Sequence, residues 1–248
     1  MSRSGDLGPI WARPEPGSRR PRFTREQIAS VALAVADAEG FEAVSMRRVA
    51  AELGAGTMSL YHYLRGKDDL LALMDDALMA ESLVPDGELP AGWREALTAI
   101  AHRTRAVYLR HPWALYAMQG ERAVQGAPIG PNGMRHFEQS LAALAQAPLD
   151  TRARLDLLAI VDAYVFGTVL QSGETRARGE VDPGAAEALM EFGLGQLRTG
   201  DYPHLQALST DPAAASIADE GLLDERFERG LRLLLDGALA LRPASPTE

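Results

Sequence analysis

Residues 45–67 read SMRRVAAELGAGTMSLYHYLRGK, and the spacing within this stretch predicts two short helices joined by a tight turn. Ser45 is placed to cap the first, because its hydroxyl can accept from an otherwise unpaired N–H of the first turn. Val49, Ala50 and Leu53 follow at helical spacing, and Gly54 falls where the chain must reverse, a position that favours positive φ. A second helix starts near Thr57. Its Leu60 and Leu64 lie one turn apart on the inner side, and Ala50 is small enough to let the two helices cross closely. The predicted outer face carries Thr57, Met58, Ser59, Tyr61, His62 and Tyr63. Small and hydroxylic groups at the leading end, with rings behind them, suit a helix that enters a major groove N-terminus first. The plainer reading makes Tyr61, His62 and Tyr63 half-buried residues of a small helical domain.

Working outward, Thr24 caps a preceding helix in which Ile28, Val31, Ala32, Val35 and Ala38 form an apolar stripe, and Gly40 ends it. Three helices over residues 23–67 make a compact unit, yet one too small to be very stable alone. A larger helical unit is expected over residues 68–242, which makes the fold class all-α. It opens with Leu70, Leu71, Met74, Leu78 and Met79 on one side of a helix. A helix from Trp93 to Arg110 follows, stopped by His111-Pro112, and then a short one from Trp113 to Met118. Gly120 to Gly133 reads as loop. From Thr151 to about Arg178 runs the longest helix, apolar nearly all round and therefore expected to be buried on several sides. Asp182-Pro183 opens another helix as N-cap and first residue. In the last helix, Gly230 and Gly237, like Gly167 in the long one, suggest close approach of another helix backbone, so these two helices are expected to pair with their symmetry copies in a homodimer. Residues 1–22, rich in Arg, Pro, Gly and Ser, are expected to form a flexible basic arm, and 243–248 a tail.

Charge divides the chain in the same place. Residues 1–67 hold 10 basic and 7 acidic side chains, net +3, whereas the remainder holds 15 and 27, net −12. Attraction to phosphate is thereby confined to the amino-terminal quarter, and the acidic body is held off the duplex. The absence of cysteine excludes a disulfide framework and a thiolate metal site. With no signal-like apolar segment and no run of the roughly 18 apolar residues a bilayer requires, a cytoplasmic protein without membrane contact is expected.

The stretch TREQIASVALAVADAEGF followed by SMRRVAAELGAGTMSLYHYLRGKDDLL resembles the signature region of the TetR-type transcriptional repressors. AYVFGTVLQSGE and RFERGLRLLLDGALAL are similar to the two dimer-forming helices of the tetracycline-repressor-like branch. The resemblance implies a homodimer on a palindromic operator, released by a small molecule. By position it implies DNA contacts from Arg47, from the outer face of the second motif helix, and from Lys67 to phosphate. An arginine can donate twice to a guanine edge, a pairing worth about 1–3 kcal/mol of discrimination. The family's magnesium-binding histidine and glutamate fall, by resemblance, at Tyr108 and Gln171, neither of which suits magnesium. No metal or other cofactor is therefore expected, and the effector pocket is expected to be walled by His102, Tyr108, Trp113, Tyr116, Phe137, Tyr164, Phe166 and Gln171, a lining suited to a largely apolar molecule.

Two other functional classes compete with this reading. An enzyme would show GxSxG, HExxH, a Walker loop or a GxGxxG after a strand, and the sequence contains none in context. An architectural DNA-binding protein without an effector needs basic charge over a broad surface, and the body here is acidic.

Overall fold

The computed structural model describes residues 8–13, 22–118, 129–178, 183–211 and 222–239. Among these residues the chain has eleven α-helices, no strand, and two short 3-10 segments at Ile10–Ala12 and Phe41–Ala43. Helix α1 (Arg25–Glu39) begins with a capping box. The Gln27 N–H donates to Thr24 Oγ1 at 3.2 Å and the Thr24 N–H donates to Gln27 Oε1 at 2.9 Å, so two otherwise unpaired donors are satisfied. Helix α2 (Met46–Glu52) is capped by Ser45, which accepts from the Arg48 N–H. Its other end is a Schellman closure: the Ala55 N–H reaches Ala50 O and the Gly54 N–H reaches Ala51 O, with Gly54 at φ 62. Only one helical turn follows as α3 (Thr57–Leu60), and then a turn leads to α4 (Lys67–Ser82).

The rest comprises α5 (Trp93–Arg110), α6 (Trp113–Met118), α7 (Pro131–Ala143), α8 (Thr151–Arg178), α9 (Pro183–Leu197), α10 (Pro203–Ser209) and α11 (Leu223–Ala238). The bounds of α5, α6 and α8 are those the sequence predicts. Helix α7 starts earlier than expected, taking in Gly133. Pro131 supplies a first residue with no N–H to satisfy, and the buried Asp76 carboxylate accepts from the Asn132 and Gly133 N–H groups. Helix α10 was not expected at all. Asp182 and residues 243–248 lie outside the described residues.

Residues 8–13 correct the arm reading for that segment. Ile10 is fully buried among the residues of α1 and α4, and Trp11 packs against the same cluster. The Arg, Pro and Gly around these two apolar side chains dominate the composition and hide them from it.

One apolar cluster runs from Ile28 and Val49 through Leu60, Leu64, Leu70, Met74 and Leu78 to Val107, Tyr108 and Val169. The core thus crosses the expected domain boundary, with α4 packed on α1 and also on α5 and α7. A second cluster joins α5, α8 and α11 through Leu97, Leu157, Val161, Val165, Phe227, Leu231 and Leu235. Helix α8 is buried on this side alone in the single chain. Its other side, with Ala159, Ile160, Ala163 and Gly167, is exposed in the single chain and is left for the symmetry copy that the sequence reading expects there.

The three helical glycines divide. Nothing approaches Gly167 or Gly237, whereas a Cβ at Gly230 would overlap the hydroxyl and ring of Tyr164, so the close neighbour there is an aromatic side chain and not a helix backbone. Tyr164 stacks on Phe227 at 5.5 Å between ring centroids. Gly230→Ala is expected to push Tyr164 out of this stack and to destabilise the protein by about 1–3 kcal/mol, measured as a lower urea midpoint at unchanged m.

Candidate DNA-binding and effector sites

The turn that closes α2 leaves the short α3 with its leading N–H groups uncapped by any side chain, since Gly56 stands at the N-cap. Leu60 and Leu64 are fully buried as predicted and anchor this turn from beneath. Above them Met58 is 75% exposed and Tyr61 48% exposed, His62 is exposed, and Thr57 and Ser59 are half-buried. The six residues expected on one outer face are therefore five, because Tyr63 turns inward. Its ring meets Phe23 edge-on and its hydroxyl accepts from the Phe23 N–H at 3.3 Å. The cause is the shortness of α3: after one helical turn the chain bends, and the position following His62 swings toward α1.

Two neighbouring arginines on α2 have different environments. Arg48 donates to Glu39 at 2.6 Å and to Glu52 at 2.7 Å. Hydrogen bonding to Arg48 holds the Glu39 carboxyl below its ordinary value. Arg47 is exposed and makes no ion pair among the described residues, so its guanidinium remains available to an outside acceptor. Lys67, also exposed, begins α4 with its ammonium 5.4 Å from the centre of the Phe41 ring. The Arg22 guanidinium donates to Gly54 O at 2.7 Å and adds a positive charge beside the turn.

The structure does not gather the expected effector wall into one cavity. Tyr164 and Gln171 line a cleft of about 210 Å³ together with Arg105, Thr168, Ser172 and Arg226. None of the last four was foreseen, because their polar side chains resemble solvated helix faces until α5, α8 and α11 are brought together. Tyr108 is fully buried with its ring edge-on to Phe166 at 5.1 Å, and desolvation pushes its hydroxyl pKa upward. His102 meets Phe227 edge-on and lies 2.8 Å from Glu228. Trp113 faces α1 instead of a pocket, stacked on Phe41 and donating to Asp37 at 2.7 Å. Phe137 is 49% exposed on α7. The Tyr116 side chain lies outside the described residues.

Comparison with known proteins agrees with this architecture. Residues 28–74 match the family described as "Bacterial regulatory proteins, tetR family", and residues 85–242 match "Tetracyclin repressor-like, C-terminal domain". The chain belongs to the TetR family. Among its TetR-family relatives, the HTH-type transcriptional repressor DrrR1 of Streptomyces coeruleorubidus is 35% identical over 247 residues, covering 95% of this chain and 87% of that protein. The apo structure of ActR from Streptomyces coelicolor superposes with a TM-score of 0.69 at 29% identity, covering 91% of this chain and 98% of that one. ActR in complex with actinorhodin gives a TM-score of 0.68 at 29% identity over 88% of this chain and 96% of that one. The chain is accordingly a transcriptional regulator with a DNA-binding helix-turn-helix, and its curated relatives include repressors. No helix among the described residues is long and apolar enough to cross a membrane.

A histidine that the sequence reading gave no role connects two helices of the body. His136 on α7 lies with Nε2 3.3 Å from Thr104 Oγ1 on α5, and burial lowers its pKa below the ordinary 6.5. The folded state therefore prefers the neutral ring. The stability this represents is present above the unfolded value and is lost as pH falls through the folded one. His136→Gln is expected to flatten the loss of stability on the acid side of 6.5, read from melting temperatures across a pH series.

Proposed function

We propose that the protein is a repressor that binds a palindromic operator as a homodimer and lets go when a small molecule enters the body of the chain. The single observation that supports this most strongly is the position of α4. One end of it follows the motif, and its apolar side chains lie in the same cluster as those of α5 and α8. Displacement of α4 from within the body would change where α3 sits. Two copies must present their recognition helices about 34–36 Å apart, one turn of the duplex, so a tilt of α4 alters affinity without any change in the groove contacts themselves.

The dimer reading is supported by the exposed small and apolar side chains of α8, with Ala159, Ile160, Ala163 and Gly167, and by Leu233 and Gly237 on α11. Left in water these faces gain nothing, and paired with a second copy they would build a four-helix contact. For the ligand, Tyr164 and Gln171 have the best claim among the eight candidates, since they already face a cleft. ActR, a relative of similar fold, holds actinorhodin, and a small-molecule effector is assigned here by that likeness. The effector-binding and dimerisation unit spans residues 68–242 and the DNA-binding unit residues 23–67, with α4 as the shared element. A regulator of this kind works on the chromosome, in the cytoplasm.

On the DNA side we assign base contacts to Arg47, Thr57, Met58, Ser59, Tyr61 and His62, and phosphate contacts to Lys67 and, by donation from the hydroxyl that accepts from the Phe23 N–H, to Tyr63. Lys67→Ala is expected to weaken binding to all duplexes alike and to reduce the salt slope by about 1, whereas Arg47→Ala relaxes selectivity at one base pair by about 1–3 kcal/mol. Arg48→Ala, which removes an arginine already paired with Glu39 and Glu52, leaves selectivity unchanged. Selection of operators from a random duplex library, followed by footprinting of the three variants, tests this set. Equal effects of Arg47→Ala and Arg48→Ala would overturn it.

A further inference from the structure

The segment Gly8–Arg13 makes contacts that neither the motif nor the effector site uses. Ile10 is 1% exposed, inside the cluster that includes Leu70, Leu73 and Met74 of α4. Trp11 lies over the backbone just ahead of α7. A Cβ at Gly130 would overlap both the Trp11 ring and the carboxylate of Asp76, the α4 residue that caps α7. Arg13 forms an ion pair with Asp69 in the first turn of α4, both side chains being at least four-fifths buried. The Arg13 carbonyl accepts from the buried Arg25 guanidinium of α1 at 3.1 Å. In six residues the chain therefore touches α1, the first turn of α4 and the start of α7, and adds Ile10 to the cluster that holds Leu70, Leu73 and Met74.

We propose that Gly8–Arg13 is a clasp that fixes the tilt of α4 against α1 and α7, and not an arm that reaches DNA. Its charge argues the same way. The Arg13 guanidinium is already neutralised by Asp69, and an ion pair this sheltered from water is not exchanged for a phosphate contact without leaving Asp69 uncompensated. Apolar contact from Ile10 and Trp11 resists displacement of α4 over the length where it contacts the body, while the Arg13–Asp69 pair holds the end nearest the motif. The consequence for operator affinity rests on the reading above that α4 sets the separation of the recognition helices. The clasp itself does not.

The test uses the full chain with Trp11→Ala, Arg13→Ala and Asp69→Ala, and with Trp11→Phe as the conservative control. Amide exchange is read without DNA, and binding is read on a duplex selected from a random library. The expected result is a loss of protection of at least about tenfold confined to α4 and residues 130–134, with α11 unchanged and Trp11→Phe near the parent. Arg13→Ala and Asp69→Ala weaken the selected duplex in the same direction, with unchanged salt slope. An arm on the phosphates predicts opposite signs: Arg13→Ala would weaken every duplex and lower the slope, and Asp69→Ala, by removing a negative charge, would tighten binding. That pattern overturns the clasp, as does unaltered protection in α4. So does a uniform loss across the chain, which would make the segment ordinary core. If no duplex is selected at all, the operator reading fails and the exchange data alone decide the clasp.

Discussion

Helix α4 has to satisfy two apolar surfaces at once. Leu70, Met74 and Leu78 are fully buried, and the cluster they belong to contains Ile28 and Val49 on one side and Val107, Tyr108 and Val169 on the other. A three-helix unit of the size of residues 23–67 buries too little surface to be firm by itself. Sharing α4 supplies the missing core, and it also means that the motif cannot ignore a rearrangement in the body. Packed interiors are not continuously deformable, and on the proposed mechanism a change beside α5 or α7 is therefore passed on as a movement of α4. Stability and communication here come from the same buried side chains.

Polar contacts then determine which movements are open to α4. Asp76 fixes the start of α7 to its middle, Asp69 accepts from the Arg65 N–H and pairs with Arg13 at its beginning, and Glu81 near its end meets Arg110 and His111. The junction beyond Glu81 is aromatic: Trp113 stacks on Phe41 and donates to Asp37 of α1. Carboxylates spaced along one helix thus connect it to α7, to the amino-terminal segment and to the α5–α6 corner. Surface ion pairs contribute little on their own, but the sheltered ion pair at Asp69 and the hydrogen bonds accepted by Asp76 carry directional constraints that apolar packing alone would leave free.

The helix-turn-helix was legible because its determinants are local. Ser45, Gly54, Leu60 and Leu64 act within about twenty residues of one another, and caps, turn glycines and one-turn spacings follow the same rules in any fold. Helices α5, α6 and α8 were legible for the same reason, with Pro112 and the periodicity setting their bounds. What failed was what depends on partners distant in sequence. Gly133 reads as a loop residue until Asp76, on another helix, caps the turn that contains it. Ile10 and Trp11 look like part of an arm until the groove beside α4 exists to receive them. The pocket list failed in a like way: aromatic side chains mark where a core is, but which of them face a cavity depends on how α5, α8 and α11 cross. Trp113 and Tyr164, both aromatic, end in different places, one at the α1 junction and one beside a cleft.

On the dimer reading proposed above, the charge asymmetry constrains how two copies can meet the duplex. A body with net −12 beyond residue 67 repels phosphate wherever it comes within a Debye length, about 8 Å at physiological salt. Only a pose in which the motifs project toward the duplex and the body stands behind them keeps that repulsion small. Arg47 and Lys67, both exposed, and Arg22 beside the motif turn then provide attraction at the leading surface, while Arg48 is already engaged with Glu39 and Glu52. Among the described residues these are few basic groups for a duplex contact, so on the proposed reading base-edge contacts and the spacing of the two motifs carry the discrimination. On the function proposed above, a regulator built this way is sensitive to its own geometry, because a tilt of α4 changes the separation of the two motifs on which its operator affinity would depend.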